Sequence, residues 1–136
     1  MKERIMSKHG EFNWNELQTS HVDKVLAFYR ETIGWEFRAE RMPSGGTYWI
    51  GLSAGKPVCG VLELEGTDDS RDTDRWVTYV HVDDLDNAIN RIDSLGGQVL
   101  KAPWVIPGVG HVAWIRDPGG AEIGWVTPET QIENTQ

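Results

Sequence analysis

The sequence predicts an α+β fold: two βαβββ modules whose eight strands curve into a half-open, barrel-like sheet with the helices outside. Three observations predict it. An internal repeat runs through the chain at a spacing of 63 to 64 residues. Each copy passes from a β-rich strand into an amphipathic helix, stops at a glycine and continues into further β-rich runs. Between the copies lies "EGTDDSRDTDR", acidic and without apolar residues, which has the composition of a solvated connector.

The repeat is read by pairing positions. Val22 meets Leu85, Asp23 meets Asp86, Leu26 meets Ile89 and Gly34 meets Gly97, all 63 apart. Gly55 then meets Gly119 and Gly60 meets Gly124, 64 apart, so one residue has slipped in a loop. The first helix has a capping residue in Ser20 and apolar positions at Val22, Val25, Leu26 and Tyr29. The second has Asp83 as its cap, then Leu85, Ala88, Ile89 and Ile92. Glycine ends both, and the β-rich runs "WEFRAERM" and "QVLKAPWVI" follow. "IPGVGH" from Ile106 to His111 reads as a hairpin turn and "DPGGAE" as a tight turn before the last strand. The expected organisation is one domain over 11–128, made of modules 11–65 and 75–127. The acidic linker is 66–74, and 1–10 and 129–136 are flexible termini.

Composition narrows the function classes. The net charge of −8 argues against nucleic acid or an anionic membrane as partner. No apolar run approaches the roughly 20 residues of a membrane span. The opening "MKERIMSKHGEF" has no apolar core of a secretory signal, so the expected location is the cytoplasm. Cys59 is the single cysteine, which excludes an intrachain disulfide. Seven tryptophans are read either as core residues throughout or, as a surplus beyond core needs, as the lining of an aromatic cavity or an interface.

The paired modules, "AFY" on the first helix, "LGG" after the second and "DPGG" before the last strand together resemble the vicinal oxygen chelate superfamily. That group includes glyoxalase I, bleomycin-resistance proteins, extradiol dioxygenases and epimerases. The resemblance implies that enzymes of the group hold a divalent metal with one residue from the first and one from the last strand of each module. Those positions fall here on Trp14, Val77, Gly60 and Gly124. None has a donor side chain, so neither a metal nor another cofactor is expected. The chain is similar to a metal-less subgroup with "W-x-E-L" in its first strand, here Trp14 to Leu17. The resemblance also implies a homodimer.

Strand alternation extends the candidate site. If Trp14 faces inward, so do Glu16 and Gln18; if Val77 does, so do Tyr79 and His81. Glu122 shares the face of Gly124, and the two glycines leave floor space for a ligand. Glu16 is read either as a general acid or base or as a structural hydrogen-bonding group. His81 is read as a rim residue paired with Asp83 or Asp84, a pocket base, or a displaced metal ligand. The phase of Trp49, Trp104, His111 and Trp114 is open, and Cys59 should pack as a small hydrophobe. The expected function is binding of a small, partly aromatic organic molecule in a metal-free concave cleft. The alternative is a metal-independent isomerase, lyase or hydrolase using Glu16 or His81, and a metal-dependent glyoxalase-type lyase ranks third.

Overall fold

The computed structural model describes residues 7–64 and 74–129. The acidic linker, apart from Asp74, lies outside the described residues, as do 1–6 and 130–136 of the expected flexible termini.

The element order is that of two βαβββ modules. The first comprises β1 (Phe12–Thr19), α1 (Val22–Ile33), β2 (Glu36–Arg41), β3 (Thr47–Ser53) and β4 (Lys56–Glu63). The second comprises β5 (Arg75–His81), α2 (Leu85–Asn90), β6 (Gln98–Ile106), β7 (Gly110–Arg116) and β8 (Glu122–Pro128). The strands of the first are ordered β2-β3-β4-β1 and those of the second β5-β8-β7-β6. In each module the first strand runs parallel to the fourth, and the register confirms the repeat. Glu16 pairs with Gly60 in one copy, and its equivalent Tyr79 pairs with Gly124 in the other.

The chain divides into two compact units. One is Trp14–Val77; the other joins the stretch ending at Asn13 to everything from Thr78 onward. The division therefore falls inside β1 and β5 rather than in the acidic linker. Within the second unit, the His81 N–H donates to the Glu11 carbonyl and the Gly10 N–H to the His81 carbonyl, both at 2.8 Å. Residues 7–10, part of the stretch expected to be flexible, are thus tied to the end of β5.

In the unit Trp14–Val77, α1 covers one face of the strands. Leu26 is buried against Leu17 of β1 and Val61 of β4, with Val22, Val25, Tyr29, Phe37 and Trp49 packed around them. The i, i+3, i+4, i+7 spacing of the helix positions puts this stripe on one side. Gly34 ends the helix in the left-handed conformation at φ 81°, which costs glycine no Cβ clash. Cys59 of β4 is buried, 2% exposed, as a small hydrophobe would be.

Both helices start one residue later than the caps read from the sequence. The N-cap of α1 is His21, not Ser20, and that of α2 is Asp84, not Asp83. The second shift has a clear cause: the Asp83 carboxylate is engaged by the His81 ring at 2.9 Å. Asp84 is left to accept from the Asn87 N–H at 3.1 Å. The expected glycine stop of the second module is also displaced: α2 is capped at Arg91, a 3-10 turn over Asp93–Leu95 follows, and the left-handed residue that stops it is Gly96, at φ 92°, not its neighbour Gly97. Gly97 is needed for closeness instead, since a Cβ there would lie 2.9 Å from the Arg116 carbonyl oxygen.

Candidate functional site

In the unit Trp14–Val77, the face of β1 opposite the helix is polar yet buried. Trp14 is 2% exposed, and Glu16 and Gln18 are fully buried. They form a hydrogen-bonded row with Tyr48 of β3. Trp14 Nε1–H donates to Tyr48 Oη at 2.9 Å, and Tyr48 Oη–H donates to Glu16 Oε1 at 2.9 Å. Gln18 Nε2–H donates to Glu16 Oε2, also at 2.9 Å. Both Glu16 oxygens accept, the arrangement of an ionised carboxylate. The Tyr48 ring lies directly over Gly60, where an added Cβ would come within 1.8 Å of Oη.

The other unit holds a matching arrangement. The Tyr79 ring lies over Gly124, where a Cβ would meet ring carbons at 2.4 Å. Trp114 Nε1–H donates to Tyr79 Oη at 2.7 Å. Trp104 stands edge-on to Trp114 with centroids 5.1 Å apart, and Lys101 Nζ lies 4.6 Å from the Trp104 centroid. Glu122 Oε2 accepts from Arg116 Nη2–H at 3.0 Å.

His81 is buried at 1% exposure and held from both ring nitrogens. Ser7 Oγ lies 2.7 Å from Nδ1, and Asp83 Oδ1 lies 2.9 Å from Nε2. Of its three sequence readings, pairing with Asp83 is present, although the ring itself is not on a solvated rim. His111 is exposed and lines a cavity of about 490 Å³ together with Asp83, Asp84, Trp104 and Thr127. An equivalent hollow of about 540 Å³ lies at the start of α1 among Ser20, His21, Lys24, Trp49 and Glu63.

Sequence reasoning missed Tyr48 and placed Trp49 among the open candidates. Trp49 packs on the helix side with Leu17 and Leu26. The decisive signal is a bulge. The β3–β4 hairpin pairs Ser53 with Lys56 and Leu52 with Pro57, then shifts so that Gly51 pairs with Cys59 and Ile50 with Gly60. Continued without the shift, the register would put Trp49 opposite Gly60. One slipped residue exchanges the two faces of a strand, and Tyr48 takes the polar side.

The four positions where the resemblance places metal ligands do not fit a metal. Trp14 and Val77 bring no donor atom. The space that Gly60 and Gly124 were expected to open for a ligand is occupied by the Tyr48 and Tyr79 rings. Among the described residues, no group of three or more His, Cys, Asp or Glu side chains is placed to hold a metal ion.

Comparison with known proteins agrees with the architecture. A family model described as glyoxalase/bleomycin resistance protein/dioxygenase superfamily matches residues 11–124. CFP32 of Mycobacterium tuberculosis, provisionally named a glyoxylase, is 30% identical over 125 residues, covering 91% of this chain and 48% of its own length. The anthracycline biosynthesis protein DnrV of Streptomyces peucetius is 29% identical over 119 residues, covering 79% of this chain and 43% of its own. The chain thus spans about half the length of these relatives. Among solved structures, the methylmalonyl-CoA epimerase of M. tuberculosis superposes with a TM-score of 0.62 at 15% identity, covering 98% of this chain and 99% of the other. A Streptomyces coelicolor methylmalonyl-CoA epimerase variant with 2-nitronate-propionyl-CoA superposes at 0.65 and 18% identity, covering 90% and 99%. At such identities the likeness concerns the fold alone.

Proposed function

We propose that this chain, which belongs to the glyoxalase/bleomycin resistance protein/dioxygenase superfamily, binds a small, partly aromatic organic molecule without a metal. The observation that carries the reading is the filling of ligand positions by buried aromatic rings in place of donor groups. Where the family resemblance calls for four donors, the chain has Trp14, Val77 and two glycines covered by tyrosine rings. Aromatic rings of this kind favour flat apolar ligands once a ligand reaches them, and the polar groups beside them would fix orientation. Within the unit Trp14–Val77 the proposed contacts are Trp14 and Gln18, with Gly60 acting through Tyr48; within the other unit they are Tyr79 and Glu122, with Gly124 acting through Tyr79. A relative named for anthracycline biosynthesis supports a fused aromatic ligand. The protein acts in the cytoplasm as a homodimer on this reading.

The test is tryptophan fluorescence titration with a panel of aromatic polyketides, before and after dialysis against EDTA. Saturable quenching at one ligand per chain, unchanged by EDTA, is expected. Binding that disappears with EDTA and returns with a divalent ion overturns the metal-free reading. Absence of saturable quenching across the panel overturns the aromatic ligand.

A second reading, acid/base catalysis at Glu16, is favoured by one observation: the buried carboxylate touches a phenol hydroxyl at 2.9 Å, a path for a proton. Glu16→Gln separates the two. Lost turnover with retained affinity supports catalysis; untouched affinity and turnover remove Glu16 from both.

A further inference from the structure

The side chains around His81 form an arrangement that neither reading above uses. Ser7 Oγ lies 2.7 Å from His81 Nδ1, and His81 Nε2 lies 2.9 Å from Asp83 Oδ1. A carboxylate on Nε2 holds that nitrogen as the N–H, so Nδ1 is the free base that faces the serine hydroxyl. Asn13 Nδ2–H donates to Ser7 Oγ at 2.8 Å, which leaves the serine proton directed at the imidazole. The imidazole is sealed at 1% exposure, whereas Ser7 is only partly buried and Asp83 has 56% of its side chain exposed. Nucleophile, base and orienting carboxylate therefore stand in hydrogen-bonding sequence, the geometric criterion for an activated serine. The two ring nitrogens have exchanged their usual roles, and proton transfer does not depend on which of them faces the hydroxyl.

We propose that Ser7, His81 and Asp83 form an acyl-transfer site for small activated esters. Ser7 Oγ attacks the ester carbonyl while its proton passes to His81 Nδ1. The C–O bond to the leaving group breaks, and the leaving oxygen takes that proton. Water then attacks the acyl-serine, gives a proton to Nδ1, and releases the carboxylic acid as Ser7 Oγ is reprotonated. The carboxylate of Asp83 positions the ring and offsets the charge of the imidazolium. A second buried group lies beside it: Asn13 is 4% exposed and its Oδ1 has no hydrogen-bond partner among the described residues. An acceptor left without a partner is costly, and an incoming water or hydroxyl would satisfy it.

The probe is a small alkyl fluorophosphonate, which phosphonylates activated serines, with the adduct located by peptide mass spectrometry on the full chain. One adduct per chain on Ser7 is expected, absent after heat denaturation and in Ser7→Ala. His81→Gln and Asp83→Asn should slow the limiting labelling rate by roughly tenfold or more. For Asp83→Asn the concentration for half-maximal rate should stay unchanged, a split that loss of structure would not produce. No adduct on native protein, an adduct elsewhere, or labelling of Ser7 at the wild-type rate in a folded His81→Gln or Asp83→Asn protein overturns the proposal. Ser7→Ala leaves the aromatic-ligand titration untouched, so the two readings fail separately.

Discussion

Replacing Tyr48 with phenylalanine removes one oxygen and leaves the ring in place over Gly60. No cavity is created, so the cost is confined to hydrogen bonding. The loss includes two hydrogen bonds, Trp14 Nε1 to Oη and Oη to Glu16 Oε1, each 2.9 Å and buried. A neutral hydrogen bond contributes about 0.5–1.5 kcal/mol and one to a charged group about 1.5–3 kcal/mol. Their sum predicts a loss of roughly 2–4.5 kcal/mol for Tyr48→Phe. Urea unfolding followed by tryptophan fluorescence measures it, read as a lowered midpoint at unchanged slope. A loss below about 1 kcal/mol would refute the claim that the Trp14–Tyr48–Glu16 row holds this unit together, because buried polar groups deprived of partners cost at least that much.

Three other outcomes follow from the same packing. Gly60→Ala and Gly124→Ala each force a methyl into a tyrosine ring and should destabilise by about 1–3 kcal/mol or more, measured by thermal melting; neutrality at either position would show that the ring moves aside freely. Burial pushes the Cys59 thiol up to about 12 from 9.0, so native protein should resist Ellman's reagent and titrate one thiol only when unfolded. Because the unfolded chain releases that proton first, stability should fall as the pH rises above 9.0, and Cys59→Ala should remove this slope. The Asp74 carboxyl lies below its usual 3.8: partial desolvation opposes the shift, but hydrogen bonds from Thr19, the Ser20 N–H and His21 outweigh it. The unfolded state then binds more protons just below that value. The advantage of wild type over Asp74→Asn should therefore be constant at neutral pH and shrink as the pH falls below 3.8, checked by urea unfolding across that range.

The repeat, the strand order of functional positions and the polar row Trp14, Glu16 and Gln18 were legible because strand period and glycine stops are local signals. The equivalence of Glu16 and Tyr79, read from their 63-residue offset, appears in the structure as matching partners, Gly60 for one and Gly124 for the other. Tyr48 was not legible, because a bulge near Leu52 reverses the faces of β3 and no residue type announces it. The Asp83 half of the His81 arrangement was legible but the Ser7 half was not, since Ser7 and His81 are 74 positions apart and meet through pairing of the N-terminal stretch with β5. The glycines were read as empty floor for the same reason: a missing side chain makes room, but sequence does not say which neighbour takes it.

The two tryptophan–tyrosine pairs show how the halves have parted since their duplication. In one half the indole comes from the first strand, Trp14, and the phenol from the third, Tyr48. In the other the phenol comes from the first strand, Tyr79, and the indole from the third, Trp114. At the positions aligned with Trp14 and Tyr48 stand Val77 and Val112, and those aligned with Tyr79 and Trp114 hold Glu16 and Ile50. The same plug was thus assembled twice in opposite senses. Parts exchanged between the halves by alignment would carry a donor to where its acceptor never was, so each half can only be repaired with changes of its own.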